Sequence, residues 1–173
     1  MEESTTPSGD KRSVGIKYGL ISTVIGIVYF LVMVFASQNP FVFKYGWVVS
    51  LTTTIVLLVL AHKEFKQENN GFMTYGEGVG IGVWYTLVAI AVGMLFNYVY
   101  STFIDPNLMT EFYENQYEQL QQQGQSDAQI EMAQTWTKKL FWVFGTIGGA
   151  FFCMATVLIV TIFTQKKPPE QRF

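Results

Sequence analysis

The chain has 173 residues, 50% of them hydrophobic and only 14% charged, with a formal net charge of -2. A soluble globular domain carries roughly 25% charge, so the deficit points to segments held away from water. Arg12 and Arg172 are the only arginines, which leaves no basic patch to neutralise phosphates and excludes nucleic acid as a partner. A single histidine, His62, excludes a histidine-rich zinc site, and a single cysteine, Cys153, excludes an internal disulfide.

Residues 1–13 are polar and contain Pro7 and Gly9, too little apolar surface to fold alone, and are expected to be a disordered tail. The apolar run 14–36 has one charge, Lys17, near its start, and qualifies as a first span. Its Val34-Phe35-Ala36 ending resembles a signal-peptidase site, but the run is longer than the ~7 to 15 residues of a signal core, so a retained anchor is expected. Gly15, Gly19, Ser22 and Gly26 form a stripe of small residues along it. Asn39-Pro40 marks a tight connection to a second span over 42–61, in which Gly46, Ser50 and Thr53 are the small face. The Thr52-Thr53-Thr54 run is expected to bond back to carbonyls of the preceding turn rather than to line a pore. Residues 62–71, HKEFKQENNG, read as a hydrophilic turn.

The third span, 77–103, is the centre of the pattern, because no charge occurs between Glu77 and Asp105. Gly78, Gly82, Thr86, Ala89 and Gly93 lie at helical spacing, a stripe that lets a neighbouring backbone approach closely. Steps of two place Gly76 and Gly80 nearly opposite Gly78 and Gly82, as suits a helix wedged between two others. Asp105-Pro106 then reads as a helix start. Around a wheel Leu108, Met109, Phe112, Tyr113, Tyr117 and Leu120 share one side of that helix, while Glu111, Glu114 and Glu118 cluster opposite. Gly124 breaks it, and Ser126-x-x-Gln129 matches a capping box that opens a second helix, on which Ile130, Ala133 and Trp136 lie away from Asp127 and Glu131. Residues 105–138 are therefore an amphipathic hairpin. A fourth span follows over 140–164, with Gly145-x-x-x-Gly149 in it, and 165–173 form a short tail. The expected fold is an all-α membrane protein, a four-helix transmembrane bundle with the hairpin between spans three and four.

Eight of the eleven Lys and Arg residues fall in the two tails, at the start of the first span (Lys17) and in the 62–71 loop, and only Lys44, Lys138 and Lys139 on the other side. The positive-inside rule then places both termini in the cytoplasm and the acidic hairpin outside.

Lys17-Tyr18-Gly19-Leu20-Ile21, Tyr75-Gly76-x-Gly78, the YVYSTFIDP run ending at Pro106 and the acidic, Gln-rich helix after it resemble a bacterial family of short membrane proteins, the domain-of-unknown-function family numbered 4199. The resemblance covers most of the chain and implies a four-span inner-membrane protein; it brings no catalytic residues.

Little in the chain points to chemistry. Glu77, at the membrane edge of the central span, would serve either as a proton or cation site or as an acidic residue favoured at a helix N-terminus, the second being the expectation. Asn97 and Asp105 are the other polar candidates, and Tyr98, Tyr100 and Ser101 near them suit an interfacial belt. His62 and Asp105 are assigned to opposite faces of the membrane, so no Ser-His-Asp triad forms. The Glu111, Glu114, Glu118 face reads as solvated rather than as a cation site. The expected function is a non-enzymatic accessory or interaction component of the inner membrane, with membrane lipid and a protein partner or second copy as partners and no cofactor or metal. The alternative is a carrier or channel for a neutral small molecule, which needs polar groups converging at mid-depth. An enzymatic role, such as headgroup modification, has no motif behind it.

Overall fold

A computed structural model describes residues 10–35 and 45–167. Five α-helices account for nearly all of them: α1 (Lys11–Phe35), α2 (Gly46–Glu68), α3 (Tyr75–Val99), α4 (Leu108–Gln122) and α5 (Asp127–Thr164). A π-helical turn, Tyr100–Ile104, continues α3. Among the described residues the only extended pairing is a single bridge between Met73 and Lys166. Four helical segments are long and apolar enough to cross a membrane, over Lys11–Phe35, Gly46–Glu68, Tyr75–Ile104 and Val143–Thr164. Between 11% and 28% of each apolar stretch is buried within the protein. Much of the remainder is exposed, including Val24, Trp47, Leu87, Leu95, Phe151 and Phe163, an amount of apolar surface that suits a lipid surrounding.

The chain divides into two compact units, residues 1–93 with 151–173, and residues 94–150. In the first, α1 runs against α2, and the core is built from Val14, Leu57, Leu58, Ala61, Phe65, Met73, Ile81, Tyr85, Val157 and Val160. Glycine sets the spacing here. A Cβ on Gly15 would sit 2.6 Å from Ile81 O, and one on Gly19 2.9 Å from Tyr85 O, so α1 rests directly on the α3 backbone. On another side of α3, a Cβ on Gly78 would lie 2.6 Å from Thr161 Cγ2, and one on Gly82 would overlap the Val157 side chain. The central helix is wedged between α1 and α5, but of its own glycine steps only Gly78 and Gly82 make a close approach; the α1 side is opened by Gly15 and Gly19 of α1, while a Cβ at Gly76 would meet nothing and one at Gly80 only the Lys11 side chain. The seam does not run the full stripe: Thr86 is buried, Ala89 half-buried, and a Cβ at Gly93 would meet open space.

Several local boundaries differ from the sequence reading. Asp10 caps α1, accepting from the Arg12 and Ser13 amides at 3.0 and 3.2 Å, so helix begins within the segment expected to be a disordered tail; residues 1–9, 36–44 and 168–173 lie outside the described set. The second helix does not stop at Ala61 but runs on to Glu68, because Leu58, Ala61, His62 and Phe65 continue one buried stripe at helical spacing. Only the Asn-Asn-Gly end of the expected turn is a turn. Asn70 and Gly71 adopt left-handed conformations with φ of 51° and 85°, and Gly71 N–H closes on Lys66 O at 2.7 Å.

In the second unit Asp105 does not start a helix. Its amide closes the π turn on Tyr100 O at 2.9 Å, its carboxylate accepts from the Asn107 amide at 3.2 Å, and α4 begins at Leu108. The Ser126 box is present: Gln129 Oε1 accepts from the Ser126 amide at 3.0 Å and hydroxyl at 3.2 Å. On α4, Met109, Tyr113, Tyr117 and Leu120 are half-buried and Glu111, Glu114 and Glu118 exposed. The side chains of Leu108 and Phe112 are outside the described set. Ile130 is fully buried, whereas Trp136, on the side expected to be apolar, is 58% exposed. No break separates the hairpin's second arm from the fourth span, since α5 is one helix of 38 residues.

Candidate functional site: polar ties within the first unit

The densest set of specific polar contacts surrounds His62, read from sequence as a loop residue and here fully buried. Its Nε2 lies 3.2 Å from Gly78 O and its Nδ1 2.7 Å from Thr164 Oγ1. A carbonyl only accepts, so Nε2 carries the proton and donates to Gly78 O. In the neutral ring Nδ1 then accepts from the Thr164 hydroxyl, which also lies 2.9 Å from Val160 O and has one proton to give. One side chain thus joins α2, α3 and α5 at the glycine that brings α3 and α5 together.

Neighbouring residues close the same end. Lys66 Nζ donates to Thr164 O at 3.0 Å, satisfying a terminal carbonyl of α5. Met73 and Lys166 exchange two backbone hydrogen bonds, both 2.8 Å. Lys17 Nζ pairs with Glu64 Oε2 at 2.6 Å, and Tyr18 O–H donates to the same oxygen at 3.0 Å. Arg12 stacks over the Trp84 ring with 4.9 Å to its centroid.

Deeper in the unit, Tyr85 O–H donates to Ser22 Oγ at 2.7 Å, and Thr86 Oγ1 pairs with Cys153 Sγ at 3.2 Å. Thr23, Thr156 and Thr161 hydroxyls bond back to carbonyls four residues earlier, as Thr54 does to Ser50. Among the described residues, every buried polar side chain of this unit is therefore bonded within the protein.

Glu77 sits in a capping box with Thr74. Its Oε2 accepts from the Thr74 amide at 2.7 Å and hydroxyl at 2.8 Å, while its own amide donates to Thr74 Oγ1 at 3.3 Å. The Thr74-x-x-Glu77 spacing is the sequence signal for it. Glu77 and the Gly78, Gly82, Thr86 seam belong to the first unit, whereas Asn97, half-buried one turn before the π segment, and Asp105 belong to the second. His62 was missed because Lys63 and Glu64 beside it read as water-facing; the signal was the spacing of Leu58, Ala61, His62 and Phe65.

In the second unit Gln134 Nε2 donates to Tyr113 O at 2.9 Å, and Lys138 Nζ lies 5.0 Å from the centre of the Tyr113 ring. Tyr117 O–H donates to Asp127 Oδ1 at 3.1 Å, which with the carboxylate's charge raises the phenol's pKa. A cleft of ≈ 420 Å³ between the arms is lined by Tyr113, Glu114, Tyr117, Glu118, Gln134 and Lys138 among others. Among the described residues no three His, Cys, Asp or Glu side chains are placed to hold a metal.

The family described as "Protein of unknown function (DUF4199)" matches residues 17–166. The chain belongs to this family. No curated protein and no solved structure matches it. The DUF4199 match begins within α1 and runs past the end of α5, and so takes in Gly19, Gly78 and Gly82 of the seam, the His62 ties and the hairpin, with Gly15 just before it.

Proposed function

We propose that this DUF4199 protein is a non-enzymatic accessory or interaction component of a bacterial inner membrane, with both termini in the cytoplasm and the acidic hairpin on the opposite side. The observation that carries this reading is the use of polar groups in the first unit. His62, the Tyr85–Ser22 bond and the Thr86–Cys153 pair tie α1, α2, α3 and α5 to one another, the buried hydroxyls of Thr23, Thr156 and Thr161 are used up within their own helices, and glycine brings the backbones into contact. A solute path needs polar groups that converge on a water-accessible space, and a packed seam of this kind serves assembly. The hairpin offers the partner-facing surface: Glu111, Glu114, Glu118, Asp127, Glu131 and Met132 are exposed, and it folds on capping and arm-to-arm hydrogen bonds of its own.

Site-specific photocrosslinking in native membranes tests the proposal. Crosslinkers at Glu111, Glu118 and Met132 should give one reproducible adduct, either a second copy or a single partner, and the purified protein in proteoliposomes should leave solute flux at the level of empty vesicles. Solute-specific uptake by a protein that forms no adduct would favour the carrier reading instead.

A further inference from the structure

An apolar groove of ≈ 510 Å³ lies on α5, lined by Trp136, Thr137, Leu140, Phe144 and Gly145. We propose that it is a binding site for one phospholipid of the surrounding leaflet, its acyl chain in the groove and its phosphodiester at Lys138.

Position comes first. The groove straddles the point at which α5 changes from the charged sequence ending at Lys138 and Lys139 to the uncharged run that begins at Leu140, the level of a lipid headgroup. Trp136, 58% exposed at the upper end, is the residue type that favours that level. Size comes second. At about 30 Å³ for each water-sized group, the groove has room for roughly 17 methylenes, the size of one hydrocarbon chain. Its floor is open because Gly145 has no side chain, and a Cβ built there would meet nothing within 4 Å. Charge comes third. Lys138 precedes Gly145 by seven residues, two helical turns, and so stands in the same column about 10.5 Å above it. Its ammonium is held 5.0 Å from the Tyr113 ring centre, and it forms no salt bridge among the described residues. Lys138 also lines the adjoining cleft with Glu114 and Glu118, carboxylates that disfavour an acidic protein segment; an acyl chain carrying its phosphate to Lys138, best in a zwitterionic headgroup whose ammonium faces those carboxylates, fits both the apolar floor and the mixed charge beside it.

Two substitutions isolate the groove. Gly145→Leu fills its floor, and Gly148→Leu adds the same side chain three residues on, where a Cβ also meets open space. Native mass spectrometry of the delipidated full chain, titrated with phosphatidylethanolamine or phosphatidylglycerol, should show one lipid bound to the wild type and to Gly148→Leu. Binding to Gly145→Leu should be weaker by about tenfold or more, one decade of affinity, and Lys138→Gln should weaken both lipids. Oleate should not compete, since it lacks the phosphodiester. In a variant keeping Trp136 alone, with the other three tryptophans changed to Phe, a brominated-chain phospholipid should quench fluorescence, and Gly145→Leu should relieve the quenching. Equal lipid binding by both leucine variants overturns the proposal. So does a wild-type dimer that Gly145→Leu dissolves, or competition by oleate.

Discussion

Gly82 is the residue on which the close approach of α3 and α5 turns. A side chain there collides with Val157, itself fully buried, and over-packing of this kind costs about 1 to 3 kcal/mol. Gly82→Ala should therefore lower stability in a detergent unfolding assay by that amount, Gly26→Ala, which faces open space, should be nearly neutral, and Val157→Ala should recover part of the loss in the double variant. His62 makes a second prediction. His62→Leu keeps similar bulk but removes the bonds to Gly78 O and Thr164 Oγ1, and should cost about 1 to 3 kcal/mol for polar groups left buried. Thr164→Val, which leaves the bond to Gly78 O in place, should cost less. The close packing at Gly78 and Gly82 was legible from glycine at helical spacing, whereas Gly76 and Gly93, in the same pattern, face open space. The role of His62 was not, because polarity of neighbours in sequence says little about which side of a helix a residue occupies.

At the scale of elements, the capping boxes are the clearest link between sequence and boundary. Thr74→Ala should destabilise the start of α3 by about 0.5 to 2 kcal/mol, and Glu77→Gln should cost less, because an amide oxygen also accepts in a capping box. A Glu77→Gln variant as stable as wild type but with altered proton or cation binding would instead assign Glu77 a chemical task. The hairpin carries its own pH dependence. Tyr117 is neutral when it donates to Asp127, so its native pKa is raised and the unfolded value is lower. The stabilisation is fully present below the ordinary tyrosine range and is lost as pH rises through the raised native value. Tyrosinate absorbance should show one phenol titrating later than in the Asp127→Asn variant, and Tyr117→Phe should remove that late component. The Ser126 box was legible from four residues. The π turn after Val99 was not, since Tyr100–Ile104 is as apolar as the helix it continues, and only the amide of Asp105 reaching Tyr100 O reveals the extra residue in the ring.

For the whole molecule, length and charge deficit alone imply four crossings, because each uncharged run is long enough for a hydrocarbon core of ~30 Å and little else stabilises so much exposed apolar surface. The sequence also marks the hairpin, through alternation of charged and apolar faces. It does not mark the continuity of its second arm with the fourth span, since the change from polar to apolar at Leu140 reads as a boundary although no helix-breaking residue lies there. Orientation rests on the asymmetry of eight cations against three, and the account of the hairpin as an outward interaction surface depends on it. Impermeant thiol labelling in intact spheroplasts, on a Cys153→Ser background, tests this directly. A thiol from Glu114→Cys should react at once and one from Glu170→Cys only after permeabilisation. Labelling at position 170 with protection at 114, or equal labelling at both, would contradict the account.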